Sequence, residues 1–315
     1  MEDRIRDIVV GFDFSEGGRN ALRAARDLAR RVGAKLHIVT AIPGPVRDLA
    51  KLQVEMPPRL FASLQQQVQL LTDVEKLVRD AVAHEDFAGI EVSFEVGEQS
   101  PVKTLLAAMD ARDADLFVVG DIGLAPEVGR AIGYDTERLI RRSVRPVLVI
   151  NRHTTFPPAR ILAPVDFSDS GERVLGKAAD FARLFGASLH VLHCVEFDPE
   201  PVVQLYGTSI SLEVMEDWRA HARTQLDELL SRTPLQGIEL TSDVALARAF
   251  EKIPEVTKAG GFDLVVMGTH GASYAEEILL GGTADRVIRQ LPASVCAVKP
   301  DSFAYRLTGD VRVAN

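Results

Sequence analysis

A chain of 315 residues exceeds one ordinary hydrophobic core and suits two domains of about 150 residues each. Its hydrophobic content of 46% beside 26% charged residues is that of a globular chain, not a disordered or collagen-like one. A formal net charge of -9 gives no basic footprint for nucleic acid or an anionic membrane, although one phosphorylated small ligand needs only a local cluster of donors.

No apolar run approaches the roughly 20 residues that cross a bilayer. The charged opening Met1-Glu2-Asp3-Arg4-Ile5-Arg6 does not read as a signal peptide. Two cysteines, Cys194 and Cys296, do not make a disulfide framework. The expected setting is the reducing cytoplasm.

In chain order, Ile8-Val-Val-Gly-Phe-Asp13-Phe-Ser15 reads as a strand leading into a helix. Ala21, Leu22, Ala25, Leu28, Ala29 and Val32 then follow the 3.6-residue period of a helix with one buried face. Gly33 closes it, since a left-handed C-cap is cheapest without a Cβ. A second strand covers 35–42, a helical segment roughly 59–84, a fourth strand Asp115-Leu-Phe-Val-Val-Gly120, and a last strand Arg145-Pro-Val-Leu-Val-Ile150. All of these recur. Ile161-Leu-Ala-Pro-Val-Asp166-Phe-Ser168 lies 153 residues after its counterpart, and Val174, Leu175, Ala178, Phe181, Ala182, Phe185 and Gly186 repeat the helix and its cap. A strand over 188–195, a helix over 212–231, Asp263-Leu-Val-Val-Met-Gly268 and Ala293-Ser-Val-Cys-Ala-Val298 complete the second copy, the last two at an offset of 148.

These strands are rich in Val, Ile and Leu without strict alternation, as strands buried on both faces are. Strands alternating with helices imply a parallel sheet covered by helices. The expected fold is α/β, with two tandem doubly wound domains over 1–152 and 158–300. A linker containing Pro157-Pro158 joins them, and 301–315 is a tail or an edge cover.

In the second copy the fourth strand runs into Gly268-Thr-His-Gly271; after nine residues come Gly281-Gly282-Thr283 and a helix over 284–291. Glycines at a strand's C-terminal end let backbone amides approach an anion. A helix beginning at Gly282 or Thr283 aims unpaired N–H groups at the same spot, and Thr283 adds a hydroxyl donor. In open parallel sheets ligands bind in this crevice. The same glycines also serve as turn formers and Thr283 as a helix cap, so spacing alone leaves both readings open. The loop is neither a Walker A loop nor a dinucleotide fingerprint.

The pattern Gly-x2-Gly-x9-Gly after Val-Met-Gly, with Pro164-Val-Asp166-Phe-Ser168, resembles the universal stress protein family, and the resemblance covers both halves. It implies five-stranded parallel sheets of order 3-2-1-4-5, an internal pseudo-dimer paired through the last strands, and regulatory ATP binding in stress response, since some members bind ATP and others lack the loop. A further homodimer and an unknown protein partner are compatible with it. Carried over by position, Pro164 and Asp166 border the nucleoside, Cys194 lies beside the base, and Gly268, Gly271 and Gly281 wrap the phosphates. Gly282 stands where the family has Ser or Thr, with Thr283 one residue late. Mg2+ would accompany ATP through phosphate oxygens and water. A scaffold without nucleotide, or a slow ATPase, are the alternatives.

The first copy departs further. Gly120, Gly123 and Gly133 remain, but Tyr134-Asp135 replaces Gly282-Thr283, Asp121 enters the loop, and Gly11 replaces Pro164. A carboxylate in a phosphate cradle repels its ligand, so this site is expected to be degenerate, obstructed by Tyr134 and Asp135, with Asp13 capping its helix. Asp169-x-x-Glu172 resembles a capping box. His190 and His193 lie three apart on a strand and face opposite ways, so they cannot share a metal. No catalytic triad or paired carboxylates stand out.

Overall fold

Two compact units make up the chain, Met1–Pro126 with Gly133–Leu139, and Glu127–Ile132 with Ile140–Asn315. The computed structural model describes residues 5–41, 76–81, 85–97, 99–123, 131–196, 212–270, 280–290, 292–300, 303–307 and 310–313.

The first unit opens with strand β1 (Asp7–Gly11), helix α1 (Glu16–Val32) and strand β2 (Lys35–Ala41). Strand β3 (Val92–Gly97), helix α2 (Pro101–Arg112), strand β4 (Leu116–Gly120) and the start of helix α3 (Tyr134–Arg142) follow. Ala21, Leu22, Ala25, Leu28 and Ala29 are buried on one face of α1, and Gly33 at its C-cap adopts φ 71°. The strands run in the order β3-β2-β1-β4, all parallel. Of the helical segment expected over 59–84, residues 76–81 are helical and most of the rest lies outside the described residues.

The second unit contains strands β5 (Val147–Ile150) and β6 (Arg160–Pro164), helix α4 (Asp169–Phe185) and strand β7 (Ser188–Val195). Helix α5 (Leu212–Arg232), strand β8 (Leu240–Leu246), helix α6 (Ala249–Gly260), strand β9 (Leu264–Gly268), helix α7 (Gly282–Ile288) and strand β10 (Ser294–Val298) complete the repeat. Its parallel strands run β8-β7-β6-β9-β10, which counted within the copy is 3-2-1-4-5. Strand β5, although the last strand of the first copy, belongs to this unit and pairs antiparallel with β10, Leu148 opposite Cys296. Beyond β10, Phe303 is fully buried, and strands β11 (Ala304–Leu307) and β12 (Asp310–Val313) form an antiparallel pair, so part of 301–315 is a hairpin. Cys194 on β7 and Cys296 on β10 are separated by β6 and β9, and both are free thiols. No described helix is long and apolar enough to cross a membrane.

Candidate functional site

The C-terminal ends of β6, β7 and β9 open onto a cavity of about 320 Å3 in the second unit. Pro164 and Asp166 follow from β6, Cys194 from β7 and Gly268 from β9; Gly281, Gly282 and Thr283 enter with α7, and all seven line this cavity. Gly271, predicted with them, lies outside the described residues. The floor between is apolar, formed by Val165, Val174, Leu192, Ile253 and Met267. A slot of this kind, apolar with polar groups at its ends, suits a small ligand with a flat apolar body.

Helix α7 begins at Gly282, with Gly281 as its N-cap and no side-chain cap. Thr283 is therefore not the cap, and its hydroxyl remains available at the cavity wall. The turn is set by backbone: the Gly281 N–H donates to the Thr269 carbonyl at 2.8 Å, just as the Gly133 N–H donates to the Asp121 carbonyl at 2.7 Å in the first copy. Below this turn Thr269 Oγ1 lies 2.9 Å from His270 Nδ1, and the His270 ring packs on Phe303 at 5.4 Å. Phe303, a little beyond β10, thus packs on His270 just after β9.

A second local device starts α4. Ser168 is the N-cap, its hydroxyl accepting from the Gly171 N–H, and Asp166 holds that hydroxyl and accepts from the Ser168 N–H at 3.3 Å. The first copy repeats it: Asp13 accepts from the Ser15 hydroxyl at 2.5 Å, and Ser15 caps α1 through the Gly18 N–H at 2.9 Å. Asp13 is therefore not the cap expected from the sequence. The Asp13 carboxylate lies beside the first turn but accepts from the Ser15 N–H and hydroxyl, and so orients the cap instead. Glu172 of the expected capping box pairs with Arg232 at 2.7 Å.

The two copies differ most where their loops meet the long helices. A Cβ placed on Gly120 would fall 2.5 Å from the Gly17 backbone carbonyl carbon, and one on Gly123 would fall 2.6 Å from Asp13 Oδ2. The first loop is thus packed directly on the start of α1. Asp121 is buried there, accepting from the Ile122 N–H at 2.8 Å. In the second copy Ser170 replaces Gly17 and lines the cavity, and a Cβ on Gly268 would meet only the His270 carbonyl at 3.2 Å and Val174 at 3.6 Å. Tyr134, expected to obstruct the first crevice, is 55% exposed with the Arg138 guanidinium 5.2 Å over its ring. What the backbone shows at this loop is the close approach of Gly120 to Gly17.

Sequence reasoning weighed His193 only as a metal ligand and did not single out Glu196 or Ser170, yet all three line the cavity. His193 Nδ1 lies 2.9 Å from the Val165 carbonyl, and its ring stacks on Phe167 at 4.0 Å. A carbonyl only accepts, so Nδ1 carries the proton. Burial lowers the His193 pKa, opposed by the Val165 bond and by Asp166, so the neutral ring prevails. Burial and Glu196 push the Cys194 thiol up to about 12. His190 turns away to Thr241 Oγ1 at 2.8 Å, so the two histidines share no ligand. Among the described residues no cluster could hold a metal ion. Arg286 covers the Phe250 ring at 4.6 Å, while Arg289 and Arg141 both pair with Asp285, at 3.2 and 2.7 Å.

Comparison with known proteins agrees with this architecture. The sequence model of the universal stress protein family matches residues 4–151 and 158–299. A universal stress protein of Mycobacterium tuberculosis is 26% identical, over 89% of this chain and 92% of its own length. One from Methanocaldococcus jannaschii is 25% identical over 44% of this chain and 94% of its own. Among solved structures, a functionally unknown protein from Pseudomonas aeruginosa aligns over 94% of this chain and 93% of its own, with TM-score 0.63 and 21% identity, a likeness of fold alone.

Proposed function

The chain belongs to the universal stress protein family, and we propose that it is a regulatory nucleotide-binding member whose second copy holds one ATP per chain. The observation that carries this reading is the meeting of Pro164, Asp166, Cys194, Gly268, Gly281, Gly282 and Thr283 around one apolar slot. Gly281 and Gly282 leave the first turn of α7 without a side-chain cap, so its backbone amides are available to phosphate oxygens. The nucleoside would lie over Val165, Leu192 and Ile253 toward Asp166 and Cys194, with Mg2+ reached through phosphate oxygens and water. The first copy, with Gly120 packed on Gly17 and carrying buried Asp121, is read as a degenerate site with a structural role.

The test is stoichiometric. Calorimetric titration of purified protein with ATP is expected to give one site per chain. Mass spectrometry of the ligand released on denaturation is expected to find adenine nucleotide where the protein is isolated loaded. Gly281→Val places a branched side chain 3.2 Å from the Thr269 carbonyl and is expected to weaken ATP at least tenfold in a folded protein. Two equivalent sites would overturn the reading of the first copy. No binding at all would favour a scaffold role, and phosphate release above blank a slow ATPase.

A further inference from the structure

His193 is held by two contacts that leave one ring atom uncommitted. Its Nδ1 donates to the Val165 carbonyl at 2.9 Å, and its face lies on Phe167 at 4.0 Å. Those contacts fix both tautomer and ring plane, so Nε2 is a lone-pair acceptor. No described residue supplies it with a donor, and His193 lines the cavity beside Leu192 and Cys194. The neighbouring polar groups at this end have the same character: Asp166 and Glu196 are carboxylates. The Cys194 thiol stays protonated and is a weak donor at best. Such an end accepts hydrogen bonds from a ligand and gives almost none.

We propose that His193 Nε2 accepts a hydrogen bond from the exocyclic amino group of the bound base, making this cleft selective for 6-aminopurine over 6-oxopurine nucleotides. The inference rests on the nucleotide reading of the same cavity. A 6-amino group presents N–H to Nε2, whereas a 6-oxo group presents a lone pair to a lone pair. The tautomer cannot switch without giving up the Val165 bond. A site built to accept from a ligand rejects the analogue lacking the donor, because its buried acceptor is then left unpaired.

ATP and inosine triphosphate, which differ at the six-position and its adjoining ring nitrogen, are titrated against the full chain. The wild type is expected to bind ATP about tenfold more tightly, the worth of one hydrogen bond with an unpaired group on the losing side. His193→Asn keeps an N–H donor for the Val165 carbonyl while removing the acceptor at the Nε2 position. It is expected to erase the preference, so that ATP and inosine triphosphate bind about equally, through weaker ATP, tighter inosine triphosphate or both. His193→Phe, which keeps the stack on Phe167, is expected to do the same, with circular dichroism confirming that both variants fold. Wild-type protein that binds both nucleotides equally, or a folded His193→Asn variant that keeps the full ATP preference, overturns the role of His193 alone. Wild-type protein that binds neither overturns the nucleotide reading and this inference together.

Discussion

At Gly171 the backbone of α4 comes so close to the Asp166 carbonyl that a Cβ would collide with it. Gly18 stands at the same place in the first copy, where a Cβ would collide with the Asp13 carboxylate. Both glycines serve the Asp–Ser–N–H chain that starts each long helix. Gly171→Ala is therefore expected to lower stability by about 1–3 kcal/mol through forced backbone movement, read as a shift in the urea midpoint. Ser168→Ala, which only removes the cap, is expected to lose about 1 kcal/mol. A Gly171→Ala protein as stable as wild type would mean the loop yields freely. Gly282 is the opposite case, with open space around its Cβ position and a helical backbone. Gly282→Ser should be accepted without strain and tighten ATP by up to about tenfold by adding a hydroxyl donor; unchanged affinity by equilibrium dialysis would place the phosphates elsewhere. The glycines of the loop were legible in the sequence because they recur at fixed spacing. Gly18 and Gly171 were not, because each owes its identity to one carbonyl or carboxylate that only the folded loop brings near. The same holds for the approach of Gly120 to Gly17, which lie more than a hundred residues apart in the chain.

Among the elements, β7 carries a titration. Burial lowers the pKa of both His190 and His193 from the ordinary value of 6.5. A buried histidine that resists its proton binds fewer protons folded than unfolded over the interval below 6.5, so stability rises with pH there. Their contribution is complete above about pH 6.5 and is lost as the pH falls below it. Urea midpoints measured from pH 7.5 down to 5 are expected to fall, and less steeply in His193→Phe. A flat profile in the wild type would show that these rings titrate as freely as in the unfolded chain. The neighbouring strand β8 shows why some elements were hard to read. Leu240–Leu246 includes Thr, Ser and Asp, since an outer strand is only partly covered, and β3 holds the matching position in the first unit with every residue partly exposed. Apolar runs marked the central strands β1, β4, β6 and β9 because both of their faces are covered. Helix α6 gave a weak signal for another reason: Pro254 interrupts its backbone hydrogen bonding, although Ile253 beside it reaches the cavity floor.

At the scale of the whole chain, the repeat was plain because duplication preserves spacing, and it marked a boundary near the Pro157-Pro158 linker. The folded boundary lies elsewhere. Residues 140–151 are first-copy sequence, yet Arg141 pairs with Asp285, the Asn151 N–H donates to Ser294 Oγ at 3.1 Å, and β5 lines the edge of β10. What was copied and what packs together are thus different lengths of chain. A fragment beginning at residue 158 would keep every residue of the second repeat and still expose the otherwise buried strand Ser294–Val298, with backbone N–H and C=O groups on that edge unpaired. Such a fragment is expected to self-associate in light scattering; a stable monomer from residue 158 would show that β5 is dispensable. If β5 is needed, the two halves of this chain could not be parted by recombination at their visible seam, and a descendant carrying the second copy alone would have to find another strand, its own twin included, to stand where β5 now does.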